Sequence, residues 1–404
     1  MKTNKNSRFR DKLLLAGRAI LFLFSSLIIS LPLQAADAGE KPLRNFQLSL
    51  LPFLGSDGTA VIQYRYQVSF NLFAGINGGV EGIELGGFAN INTGPVNGFQ
   101  AAGFANVVSG DFQGFQGAGF ANINRRSVQG FAGAGFMNLS GQMVQGIQGA
   151  GFANISGGSM QGISGAGFAN ISGCSQEGIS GAGFANIAGL HFRGLTGDGF
   201  INVARGNSQG LMGAGFANIN GGDFKGAQLA GFLNVARAVE GLQLGFINVA
   251  DTIDGVPLGF ISFVKRGGLR QIELSASDGL YMQASFKMGV PVFYNIFSMG
   301  FRPHSGSDML RGLGYGVGSR IALSEYLAMN IELHSTAVDY EMKWSRSDAD
   351  RLNELRVGLA AGGQSRFEFF AAAVLYNHWQ KGQQQGEMSR IQLAPYVLHE
   401  SQWD

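Results

Sequence analysis

The chain has 404 residues, of which 14% are charged and 45% hydrophobic, with 64 glycines and a formal net charge of +2. So small a charge gives no basic field for nucleic acid, and the hydrophobic content argues against disorder. A single cysteine, Cys174, excludes an internal disulfide and argues against a thiolate metal cluster.

Residues 1–38 read as a secretory signal. Lys2, Lys5, Arg8, Arg10, Lys12 and Arg18 precede the apolar run from Ile20 to Leu33, and Ala35, Ala36, Asp37 and Ala38 follow it. Basic flank, apolar core and small residues in that order form an export signal, with cleavage expected after Ala36 or Ala38. The run is shorter than the roughly 20 residues of a spanning helix, and no cysteine stands at the cleavage site to take a lipid.

Residues 39–78 read as an N-terminal β cap. Phe46 to Phe53 and Val61 to Asn71 flank a Ser56-Asp57-Gly58 turn, and Ile62, Tyr64 and Tyr66 alternate with polar residues, as strands do. Phe73, Gly75, Gly78 and Gly79 resemble a degenerate first repeat. A capping segment is expected because an open terminal coil exposes unpaired edges.

From 79 to 268 one phrase, Gly-Phe-x-Asn followed by Ile, Val or Leu, recurs. Its phenylalanines, from Phe88 through Phe104 and Phe120 to Phe232, keep a step of 16 residues, which shortens to 14 at Phe246 and Phe260. A short fixed step means a structural unit that packs mainly on its neighbours. Helix is disfavoured, because each interior glycine costs about 1 kcal/mol against alanine. Two all-β readings follow. Either each unit is one coil of a β-solenoid, with Phe and the residue after Asn filling the interior and glycines at the corners, or the units meander within one large barrel.

The 14-residue units favour the solenoid, since a residue lost inside a strand exchanges its faces whereas a corner absorbs the loss. The asparagines at 90, 106, 122, 138, 154, 170, 186, 202, 218, 234 and 248 are expected to stack as a hydrogen-bonded ladder. The linking segments, including Leu190-His191-Phe192-Arg193 and Gly221 to Lys225, read as solvated surface, with His191 and Phe192 an incidental exposed pair. Cys174 stands where the preceding unit has Gly158.

The stretch from Gly231 to Phe260, with Leu48 to Gly55 before the repeats and Ile261 to Gly268 after them, resembles the surface-repeat protein family of spirochaetes and Bacteroidetes. That resemblance implies a secreted or outer-membrane location and no assigned activity.

From 269 to 404 the period gives way to alternation. Leu269 to Leu274, Leu280 to Phe286, Tyr294 to Phe301, Leu313 to Ile321, Leu327 to Leu333, Leu355 to Ala361, Arg366 to Leu375 and Ile391 to Leu398 read as antiparallel strands. Such a set suits an outer-membrane barrel, with a soluble β-sandwich as the alternative. Tyr281, Phe293, Tyr294, Tyr326, Tyr340, Trp344, Tyr376 and Trp379 are expected as an interfacial girdle. Glu332 and Glu341 are placed for ion pairs with Arg320 or Lys343 in a lumen.

No catalytic, cofactor-binding or metal-binding residue emerges. His304, His334, His378 and His399 lack ligand spacing, and a glycan hydrolase would need two carboxylates across a cleft. The expectation is a non-enzymatic outer-membrane or cell-surface protein of a Gram-negative-type bacterium, structural or adhesin-like, with an outer-membrane channel as the alternative. Its expected partner is the outer membrane, and a surface glycan or protein ligand stays open.

Overall fold

A computed structural model describes residues 41–276, 280–303, 309–339, 350–362, 367–379, 387–388 and 392–400. The signal at 1–38 and the polar loops at 304–308, 340–349 and 380–386 lie outside them. The described chain is all-β apart from a 3-10 turn, Gly58–Gln63. It packs as two units, one ending at Arg237 and one beginning at Ala238.

The first unit is a β-solenoid. Each 16-residue coil holds a seven-residue strand such as Met160–Ala166, a Gly-Phe corner and a four-residue strand such as Ala169–Ser172. Every strand pairs in parallel with its equivalent one coil away, Met160 with Gln176 and Asn170 with Asn186. Parallel pairing at this fixed offset rules out an up-and-down meander through the repeats. The N-terminal cap joins the same stack. Leu43–Leu51 pairs in parallel with Arg65–Asn71, and Val61 and Ile62, expected in a strand, lie in the 3-10 turn between them.

Glycines act here in two ways. Gly162, at φ +114, bends the long strand in its middle rather than at a corner, where positive φ was expected. Only glycine takes that conformation without strain. The corner glycine, Gly167, is required by close approach, since a Cβ there would lie 2.1 Å from the carbonyl oxygen of Gly151.

In the 14-residue units the short strand and the next long strand merge into single strands, Leu233–Leu244 and Ile247–Leu258. Gln243 keeps the buried place two residues after Gly241 that Gln228 holds after Gly226. Of the two residues lost, one therefore falls beyond Gln243, at the corner, and the other between Asn234 and Gly241, while Val239 and Gln243 keep the buried places of Phe224 and Gln228.

In the second unit, Ile247–Leu258 pairs in parallel with Ile261–Val264, and an antiparallel sheet follows. Its strands are Leu269–Ser275, Met282–Val290, Phe293–Pro303, Met309–Ala322, Leu327–Asp339, Asp350–Ala361, Phe367–Trp379 and Gln392–Glu400. Each pairs with the next. The sheet curls until Gln392–Glu400 pairs back onto Leu269–Ser275, Gln271 opposite Glu400. All eight strands read from the sequence are present. The connections at 291–292, 323–326 and 362–366 leave one end, and those at 276–281, 304–308, 340–349 and 380–391 leave the other.

Candidate functional site

At its Phe corner the solenoid is inverted in polarity. Phenylalanine was expected inside, yet the Phe column stands outside: Phe152 is 38% exposed and Phe168 42%. The rings stack face to face from Phe73 to Phe232, with Phe152 and Phe168 centroids 4.9 Å apart and 1° from parallel. Corner and strand geometry together explain this. Asn170 and Ser172 point inward, so Ala169 and Ile171 take the opposite face of the short strand, and Phe168 lies on the corner before it. Leu139, Ala153, Ile155, Ala169 and Ile171 pack on one another along that face.

The interior carries the expected asparagine ladder. Asn138 donates to Asn154 Oδ1, and Asn154 to Asn170 Oδ1, each at 2.9 Å. The second amide proton of Asn154 goes to the Gly165 carbonyl at 2.8 Å. Facing the ladder are a polar column, including Gln100, Gln116, Gln148 and Ser164, and an apolar one, Val96, Phe112, Val128, Val144 and Met160. Phe192 and Phe224 belong to this buried apolar column, so they are not the solvated linkers their neighbours suggested. His191, beside Phe192, is half-buried and reaches Glu177 and Ser175 at 3.2 Å each. Cys174 lies in the turn, its N–H donating to the Gly158 carbonyl at 3.2 Å.

Two carboxyl groups interrupt this pattern. Glu84 is fully buried within the polar column and accepts hydrogen bonds from Asn71, Asn77, Asn92 and Gln100. Burial raises its pKa and those amides oppose the shift. Asp198 stands in register between Ala182 and Ala214, with both carboxyl oxygens buried beside Asn186 of the ladder. Burial pushes its carboxyl up to about 7.

The curled sheet repeats the inversion with charge. Lys287, fully buried, lies 2.5 Å from both Glu273 and Glu332, and Tyr294 donates to Glu332 at 2.7 Å. Arg356 lies 2.5 Å from Glu354 and donates to Gln283 at 2.7 Å. Arg320 grips Glu368 through two bonds, 2.6 and 2.8 Å. Glu332 thus pairs with Lys287 rather than with Arg320. A Cβ at inward Gly314 or Gly318 would collide with Ser298 or Tyr294, and one at Gly316 would meet the Leu333 carbonyl oxygen at 2.5 Å and crowd His334.

The outward residues of the same strands are apolar: Leu274, Met282, Met299, Leu313, Leu333 and Phe369 are all at least half exposed. Tyr281 is exposed at the end with the longer connections, beside Arg302, and Tyr326 at the other. Tyr294, expected in the girdle, fills the interior instead. Glu341, Lys343, Tyr340, Trp344 and His304 lie outside the described residues, as do the side chains of Tyr376, His378, Trp379 and His399.

Among the described residues no three His, Cys, Asp or Glu side chains gather as a metal site. The chemistry on offer is charge neutralisation across a closed interior, with Lys287, Arg320 and Arg356 facing Glu273, Glu332, Glu354 and Glu368. No protein-family model matches the chain, and neither a curated protein nor a solved structure matches it.

Proposed function

We propose that this is a non-enzymatic outer-membrane protein in which the antiparallel C-terminal sheet is a membrane-spanning β-barrel and the solenoid is a structural or adhesin-like body held by it. The observation that carries the reading is the sheet's polarity: charged and amide side chains inside, exposed Leu, Met and Phe outside. In water that arrangement wastes the hydrophobic effect, whereas in a bilayer it is what a barrel requires. Further support comes from the loops, short at one end and longer at the other, and from exposed tyrosines at both ends. No helix among the described residues is long and apolar enough to cross a membrane, which leaves spanning by strands untouched.

Anchoring is favoured over conduction because Lys287, Tyr294, Arg356 and Phe370 are fully buried and occupy the interior, as side chains do in eight-stranded barrels. The test is expression in a Gram-negative host. The full chain should stay with urea-washed outer membranes and migrate differently on SDS gels before and after boiling. Release into the soluble fraction without detergent would overturn the proposal.

A further inference from the structure

We infer that the solenoid is itself a lipid-contacting element, with its Phe corner and the adjoining exposed column of the long strands lying against the acyl chains of a bilayer and its turn edge in water. This rests on the outer-membrane reading above for the presence of a membrane.

Charge segregation is the first argument. In each coil the nine residues from the long strand's outward aliphatic position to the residue after Asn, such as Ile163 to Ile171, form one edge. Through all the coils from Ile83 to Phe263, that edge contains two charged residues, Glu84 and Asp198. Glu84 points into the interior, and burial favours the neutral form of Asp198. The remaining charges, among them Asp111, Arg125, Arg126, Glu177, Arg193, Asp223, Lys225 and Arg237, fall on the turn edge opposite. A surface divided in this way lies at a membrane interface for the reason that an amphipathic helix does.

The apolar edge is also too continuous for water. Next to the Phe column runs a second exposed column, Phe99, Phe115, Phe131, Ile147, Ile163, Ile179 and Leu195, between 36% and 50% exposed. Contiguous apolar rows of this length mark an interaction surface, whereas scattered apolar residues do not. Backbone groups present no obstacle to lipid, because each inner coil's strands are paired on both sides and no free strand edge faces outward along the stack.

A third observation identifies the occupant. In the second unit the last corner phenylalanine, Phe260, packs on Phe297 at 5.2 Å and on Tyr315 at 5.1 Å. Both are outward residues in the middle of their strands, on the wall assigned above to lipid. A corner phenylalanine therefore already sits at acyl-chain depth, and Phe246 stacks on it at 5.2 Å.

Single-site labelling of the full chain in phosphatidylcholine liposomes tests this. The polarity-sensitive fluorophore NBD is placed on native Cys174 at the turn edge or, in a Cys174→Ser background, on Phe152→Cys at the corner, Ile163→Cys beside it, or Leu333→Cys on the barrel wall. The expected result is blue-shifted emission at 152 and 163, lost when nitroxide is carried on the acyl chains and unaffected by aqueous iodide, with the reverse at Cys174. Either corner site suffices should the other variant fail to fold.

Iodide quenching at 152 and 163 with nitroxide quenching at 333 would overturn the inference and leave the barrel standing. Iodide quenching at all sites would overturn both. Energy transfer between labels at 152 on separate chains, without nitroxide quenching, would show a second copy in place of lipid and likewise overturn it.

Discussion

Replacing Asn154 with leucine separates an amide-filled interior from an apolar one by the sign of the effect. Asn154 accepts one ladder bond from Asn138 and donates two, to Asn170 and to the Gly165 carbonyl. The substitution orphans all three groups, each worth about 2 kcal/mol when buried without a partner. Burying the leucine returns roughly 2 kcal/mol. The net loss is about 4 kcal/mol, or roughly a thousandfold in the local opening equilibrium at 1.4 kcal/mol per decade. Hydrogen exchange of the full chain, followed by mass spectrometry, should find Ala153–Ser156 and Met160–Ala166 deprotected, with the effect fading over neighbouring coils. In an apolar interior the same substitution would stabilise. Unchanged or increased protection would refute the inverted packing.

Gly165→Ala and Gly167→Ala should differ sharply although two residues apart. A Cβ at Gly165 meets nothing within 4 Å, so that variant should stay within about 0.5 kcal/mol of the parent. At Gly167 the clash with backbone should cost about 1–3 kcal/mol, read as a lower melting midpoint. Asp198 gives the solenoid a pH dependence. Its folded pKa of about 7 lies above the unfolded value near 3.9, so its stabilising contribution is complete below about pH 4 and lost as pH rises through about 7. Asp198→Ala, the residue of both adjacent coils, should therefore protect strand Phe192–Asp198 better than the parent at pH 8, an advantage that disappears toward pH 4. Lys287→Met leaves Glu273 and Glu332 buried without their shared cation and should lower barrel stability by about 3–5 kcal/mol, measured as the temperature at which the compact SDS-gel form is lost.

The solenoid was legible because its evidence is periodic. One constant step fixed the coil, the asparagines fixed the ladder, and the 14-residue units placed one of their two missing residues at a corner and the other in the linking segment. Direction was not legible at that corner. Phe168 and Ile171 are three residues apart, which demands a corner between them or that only one points inward. Hydrophobicity favoured the interior for both, whereas Phe168 stands on the corner itself and Ile171 on the face opposite Asn170. The interior had nonetheless left a trace: Glu84, Gln100, Gln116, Gln148 and Ser164 recur two residues after the bending glycine. Phe192 and Phe224 follow polar turns and so look solvated, but their register with Val128 and Val144 places them in the buried column. In the barrel, alternation located every strand but not the ion pairs. Lys287 meets Glu332 across the interior, 45 residues away, and no local spacing encodes that contact.

The solenoid buries its amide ladder and polar column beside a single apolar column and leaves its Phe and Ile columns exposed, and the curled sheet buries its charges and leaves aliphatic groups outside. Buried amide ladders gain only modestly over their hydration in the unfolded chain, about 1 kcal/mol per bond. Exposed Phe and Ile columns recover hydrophobic free energy only in part, because each ring is covered by its stacked neighbours along two directions and left open on the third. The stability of such a chain therefore depends on what covers its outside. Under the outer-membrane reading proposed above, one medium covers the outer face of the curled sheet and the Phe corner alike, which accounts for Phe260 resting on Phe297 and Tyr315 within the second unit. It also accounts for the small number of charges in the repeats and for the burial of the two on the Phe edge, the side chain of Glu84 and the carboxyl oxygens of Asp198.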